Sequence, residues 1–132
     1  MQFAFTVERG TDVNLIRACS AREITVREHV IRTSVILSPA DIVFDWPPRR
    51  AADLTAEQLQ AVLALQPEVM LIGTGDRQHF PDPQVLAAVY RAGVGVEIMD
   101  TQAACRTYNV LVQDGRRVAA ALIIEGEVEG DG

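Results

Sequence analysis

The feature that most constrains this chain is the order of its punctuation signals from Thr55 onward. Thr55-Ala56-Glu57-Gln58 reads as a capping box: the Thr hydroxyl and the Gln side chain each close a free backbone donor in a first helical turn. Leu59, Val62 and Leu63 follow at helical spacing, and Gln66-Pro67 ends the helix. Residues 69–72 are a short unbroken apolar run, the pattern of a strand buried on both faces. Asp82 and Pro83 read as N-cap and first helical residue. Val85, Leu86, Val89 and Tyr90 form the next apolar stripe, and Gly93 stops it. Residues 94–99 are expected to be a second buried strand. Asp100-Thr101 then caps a third helix, with Ala104, Tyr108 and Leu111 along one side, and Gly115 ends it. Residues 118–124 form the last strand. Over 107–112 a strand is the competing reading, since the stretch is rich in β-branched residues and Asp114-Gly115 is also a hairpin signal; helix is preferred. This alternation of helix and strand implies parallel neighbours in one sheet with helices packed on it.

The first 46 residues read differently. Residues 14–18, 24–26 and 33–37 are short and β-branched, Ser38-Pro39-Ala40-Asp41 is a turn with Pro setting φ at the corner, and residues 42–46 return as a strand that Pro47-Pro48 stops. The expectation is an α/β fold: one domain over residues 1–124 with a mixed central sheet, helices packed on it, and N-terminal antiparallel hairpins. A chain of 132 residues with 48% hydrophobic content can bury one core of useful size without metals or disulfides.

Charge narrows the partners. The net charge is −6, but Glu125, Glu127, Glu129 and Asp131 carry four of the eighteen acids. The body, with fourteen acids and twelve bases, is close to balanced. Residues 125–132 are therefore expected to be an acidic, frayed tail. No basic face of the kind that nucleic acid requires is apparent. All twelve bases are Arg, which excludes Schiff-base chemistry, a P-loop lysine and a lysine general base. Cys19 and Cys105 form no CxxC, and His29 and His79 are remote, so no metal spacing is visible. Both thiols are read as reduced, small apolar residues of a cytoplasmic protein. The start of the chain lacks a secretory or mitochondrial leader pattern, and no stretch reaches the length of a membrane span.

In open α/β sheets ligands collect beyond the carboxyl ends of parallel strands. Two such ends are Gly73-Thr74-Gly75-Asp76-Arg77 and Asp100-Thr101. Both lead into a helix start, where free N–H groups favour an anion. Turns and caps account for the same residues equally well. A dinucleotide fingerprint fails because its third Gly would fall on Gln78, and a P-loop fails because no Gly-Lys follows. His79 reads as a surface-loop histidine and Cys105 as a packed small residue. Ser20, Ser34 and Ser38 lie in no nucleophile elbow. Asn109, beside Tyr108, is a poor mid-helix residue, suited to bonding a neighbouring loop or a ligand. No cofactor, metal or complete catalytic set is implied, and the balance leans away from an enzyme.

Gly73-Thr74-Gly75-Asp76-Arg77, residues 95–101, residues 104–111, Gly115-Arg116 and residues 120–123 together resemble a small domain-of-unknown-function family. That family includes mitochondrial respiratory complex I assembly factor 3 and bacterial one-domain proteins. The resemblance is clear over residues 67–124 and looser over 14–46. It implies a three-layer fold with a mixed central sheet. It also implies that Gly73, Thr74, Gly75, Asp76, Asp100, Thr101, Tyr108 and Asn109 border one surface. It supplies no reaction and points to a protein partner; the two helix starts with Arg77 close by give the alternative, a small enzyme or binding protein for an anionic metabolite.

Overall fold

The three helices begin where their caps require. In a computed structural model, which describes residues 6–9 and 13–126, Thr55 caps α1 (Ala56–Leu63) with both halves of the capping box formed. Asp82 caps α2 (Pro83–Arg91) through Gln84 N–H, and Asp100 caps α3 (Thr101–Gln113) through Ala103 N–H. Residues 107–112 are thus helix, and the strand alternative falls away.

The strands are β1 (Thr6–Arg9), β2 (Ile16–Cys19), β3 (Ile24–Val26), β4 (His29–Ile31), β5 (Val35–Leu37), β6 (Asp41–Phe44), β7 (Val69–Gly73), β8 (Gly95–Met99) and β9 (Val118–Leu122). Six of them form one sheet in the order β1-β6-β5-β9-β7-β8, and β2-β3-β4 form a second. The large sheet is mixed. β1, β6, β5 and β9 are successively antiparallel, whereas β7 is parallel to both β9 and β8. The chain steps outward from β7 to β8 through α2, then back past β7 to β9 through α3. Right-handed crossovers in opposite directions place their helices on opposite faces.

Alternation along the strands then divides the core in two. Val35, Leu37, Leu71, Val118, Ala120 and Leu122 face α3 and the small sheet, where Ile24, Val26, Ala104 and Tyr108 meet them. Ile36, Met70, Ile72, Ala119, Ala121 and Ile123 face α1 and α2, meeting Leu59, Val62, Leu86 and Val89. The result is three layers: α1 and α2, the six-stranded sheet, and α3 with the small sheet. Each fully buried Leu or Ile in these layers contributes about 2 kcal/mol.

Two expectations need correction. Residues 94–99 do not make a strand buried on both faces: β8 lies at the sheet edge, with Gly95 and Glu97 exposed and the rest half-buried. An apolar run reports burial on one face as readily as on two. β1 and β4 had no counterpart among the expected strands, because His29-Val30-Ile31 is too short to show a period. Within the stretch expected to be an acidic tail, Glu125 is half-buried and accepts a hydrogen bond from Asp76 N–H at 2.7 Å; residues 127–132 lie outside the described ones.

Candidate functional site

β7, β8 and β9 run parallel, so their carboxyl ends emerge together, and three chain segments meet there. Thr74 N–H donates to Met99 C=O, Thr101 N–H to Gly75 C=O, and Ile123 N–H to Gly73 C=O, each at 2.9 Å. The Thr101 hydroxyl accepts from Gly75 N–H at 2.8 Å and donates to Ile123 C=O at 2.6 Å. The Thr74 hydroxyl lies 2.6 Å from Arg77 C=O and 3.1 Å from Met99 C=O, and accepts from His79 N–H. Both threonines are buried. Their hydroxyls serve the backbone of the two turns, and the crevice at the strand ends is filled by the protein itself.

Two glycines permit this approach. A Cβ on Gly73 would stand 3.0 Å from Thr101 Cα and 3.1 Å from a Leu122 methyl. Gly75 has φ +97°, a conformation that side-chained residues adopt at a cost, and a Cβ there would run into the Glu125 carboxylate.

The residues left at the surface are Asp76 and Arg77, with Asp100 half-buried beside them. Arg22, from the β2–β3 turn, donates to both Asp76 carboxylate oxygens, at 2.9 and 3.2 Å. Both side chains are about two-fifths exposed, so this pair orients the loop more than it stabilises it. The helix starts that could have offered N–H groups to an anion are occupied by Asp82 and Asp100.

Tyr108 and Asn109 point away from the loop and into the seam between α3 and β2. Tyr108 is fully buried, its hydroxyl donating to Asn14 C=O at 2.8 Å, and burial pushes its ionisation upward. The Asn109 amide accepts from Ile16 N–H at 2.9 Å and donates to Ile16 C=O at 2.8 Å. It acts as one residue of a missing neighbouring strand. This is why Asn occupies mid-helix.

Two clefts flank the strand ends, one on each side of the sheet. The larger, about 460 Å³, is bounded by Arg50, Leu54, His79, Phe80, Asp82 and Glu125. The smaller, about 250 Å³, lies between β2 and α3, with Cys19, Gln102, Cys105, Arg106 and Asn109 among its lining residues. None of Gly73, Thr74, Gly75, Asp76, Asp100 or Thr101 lines either cleft. Among the described residues, no group of three His, Cys, Asp or Glu side chains is placed to hold a metal ion. No helix among them is long and apolar enough to cross a membrane.

Sequence reasoning missed Glu125, Arg22, Phe80 and Asn14. The signal for Glu125 was available: a last strand parallel to β7 must end beside the 73–76 loop. Arg22 and Asn14 gave no signal, because their partners lie 54 and up to 94 residues away.

Solved structures share this architecture. A crystal structure of a protein from Bordetella parapertussis superposes with a TM-score of 0.82 at 43% identity, covering 87% of this chain and 98% of that one. The bovine NADH dehydrogenase [ubiquinone] 1 alpha subcomplex assembly factor 3 is 36% identical over 110 residues, which are 82% of this chain and 59% of that protein. This chain therefore spans somewhat more than half the length of that relative. A 13 kDa major membrane protein of Francisella tularensis is 40% identical over 65 residues, 49% of this chain and 53% of its own. Residues 16–123 match the model of the protein family of unknown function DUF498/DUF598, and the chain belongs to that family.

Proposed function

We propose that this chain is a cytoplasmic binding or assembly-type protein that engages another protein through the 73–76 loop and the Asp100-Thr101 turn. The observation that carries this reading is the closed strand-end crevice. With Thr74 and Thr101 turned inward, the loop presents no interior for a substrate, only a preformed outer surface. That surface carries Asp76 and Arg77 and continues to Phe80, which is 73% exposed. An exposed aromatic beside a cleft, with the Arg77 side chain close by in the chain, has the composition of an interface anchor. Gly73, Gly75, Thr74 and Thr101 hold the surface in shape, and Tyr108 and Asn109 support α3 behind it. The bovine relative, an assembly factor by name, points the same way.

The test is capture of partners by a tagged chain from its own cells, with the combined variant Arg77→Glu and Phe80→Asp beside the wild type. The expected result is loss of the wild-type-specific partners at unchanged circular dichroism and melting temperature. An unchanged partner set from the folded variant refutes the surface. A second reading is a ligand-binding protein or small enzyme for an anionic metabolite. It is favoured by Arg50 and His79 on the larger cleft and opposed by the carboxylates already seated at both helix starts. A thermal-shift screen against nucleotides and sugar phosphates separates the two; no rise with any of them removes the second.

A further inference from the structure

Cys19 and Cys105 are 86 residues apart in sequence, yet their sulfurs stand 3.1 Å from each other. That is about 1 Å more than a disulfide bond of roughly 2.05 Å. We infer that this pair is an oxidation site, reduced at rest, that closes into a reversible intramolecular disulfide between the small sheet and α3.

The backbone is built to aim Cys19 at the helix. In a regular strand, Ile16 and a residue three places on would face opposite sides. Here the register shifts between Ile16 and Ala18. Ile16 lies opposite Val26 and Cys19 opposite Ile24, and both of those partners are fully buried. Three steps along β2 thus match two along β3. The bulge re-aims the side chain that follows it, and Cys19 packs against the α3 core beside Ile16. The seam is then pinned at the Asn109 bonds to Ile16 and the Tyr108 bond to Asn14. The sulfurs are brought together by contacts that do not involve them.

The two thiols differ in a way that assigns their roles. Cys19 is partly exposed and Cys105 is 2% exposed, and both border the 250 Å³ cleft together with Arg17, Gln102 and Arg106. The hydrogen bond between the sulfurs lowers the ionisation of Cys19, and Arg106 assists. The same bond, with burial, raises that of Cys105. Cys19, the more exposed and the more readily ionised of the two, is therefore the sulfur that meets an oxidant in the cleft, and Cys105 the thiol waiting behind it. With hydrogen peroxide, the Cys19 thiolate attacks one oxygen and the O–O bond breaks. Hydroxide leaves and takes up a proton to become water, and a Cys19 sulfenic acid forms. Cys105 sulfur then attacks the Cys19 sulfur, giving up its proton, and a second water departs. Two thiols lose two electrons in all, peroxide gains them, and a dithiol reverses the change by exchange.

The test treats the reduced full chain with hydrogen peroxide and follows titratable thiols, intact mass and peptide maps. The expected product is a monomer with no titratable thiol, a mass lower by two hydrogens, a Cys19–Cys105 linked peptide, and full recovery in dithiothreitol. In Cys105→Ala, Cys19 should persist as a sulfenic acid that dimedone traps; in Cys19→Ser, Cys105 should remain a thiol. Retention of both thiols in the wild type overturns the proposal. So does a Cys19-linked dimer as the main product, or oxidation of Cys105 in Cys19→Ser at the wild-type rate. The peptide map of the wild type decides the matter even if a variant fails to fold.

Discussion

Replacing Thr101 by Val tests whether one hydroxyl closes the strand-end crevice. The two side chains have nearly the same shape, so packing changes little. What is lost is an acceptor for Gly75 N–H and a donor to Ile123 C=O, at a residue only 6% exposed. Water cannot readily replace the hydroxyl, and each buried group left without a partner costs about 1–3 kcal/mol. The added methyl returns about 0.8 kcal/mol by its burial. The net expectation is a loss of about 3 kcal/mol, a large part of the 5–15 kcal/mol that holds an ordinary domain together. For a chain of this size that lowers the melting temperature by roughly 10–15 °C. Thr101→Ser keeps the hydroxyl and loses one methyl, so it should cost only about 1 kcal/mol. Urea unfolding followed by circular dichroism measures both. If Thr101→Val is within about 0.5 kcal/mol of Thr101→Ser, the hydroxyl does not close the crevice and the argument from it collapses.

Three further outcomes are expected. Asn109→Ala should cost about 1.5 kcal/mol by removing both bonds to Ile16, and Asn109→Asp should cost more, since a carboxylate would face Ile16 C=O. Hydrogen exchange checks this, because undiminished protection of the Ile16 amide in Asn109→Ala would contradict it. Gly75→Ala should cost about 1–2 kcal/mol through its positive φ and should also evict Glu125, so Glu125→Ala should matter less in that background than in the wild type. Strict additivity in a double-mutant cycle would show that Glu125 is not seated against the glycine. The Glu68 carboxyl is held below its usual range, first by the Arg116 guanidinium and then by Arg117 N–H. A carboxylate depressed in the folded state adds stability above its unfolded pKa of about 4.3. That contribution is lost as pH falls through the folded value, so Glu68→Gln should flatten the acid limb of the stability curve. A limb of unchanged steepness would count against the pairing.

Much of this architecture is a local matter, and the chain declares it locally. A cap acts within three residues, so Thr55, Asp82 and Asp100 mark the helix starts, and the alternation of helix and strand follows from them. The position of the strand ends follows in turn, and with it the 73–76 loop as a place to look. The missing lysine and the failed glycine fingerprints exclude chemistries without any coordinates. What the tertiary structure alone decides is which way a group faces and what it meets. Thr74 and Thr101 stand at strand ends where a ligand would collect, yet their hydroxyls turn to the backbone, because three parallel strand ends bring carbonyls within their reach. The resemblance places Tyr108 and Asn109 at the surface of the 73–76 loop, yet they hold β2 and the residues just before it through bonds spanning 94 and 93 residues. Cys19 and Cys105 read as two unrelated small residues until a bulge in β2 turns one toward the other. In each case the deciding contact spans the chain, and local propensity carries no information about a partner that only the packing of layers brings near.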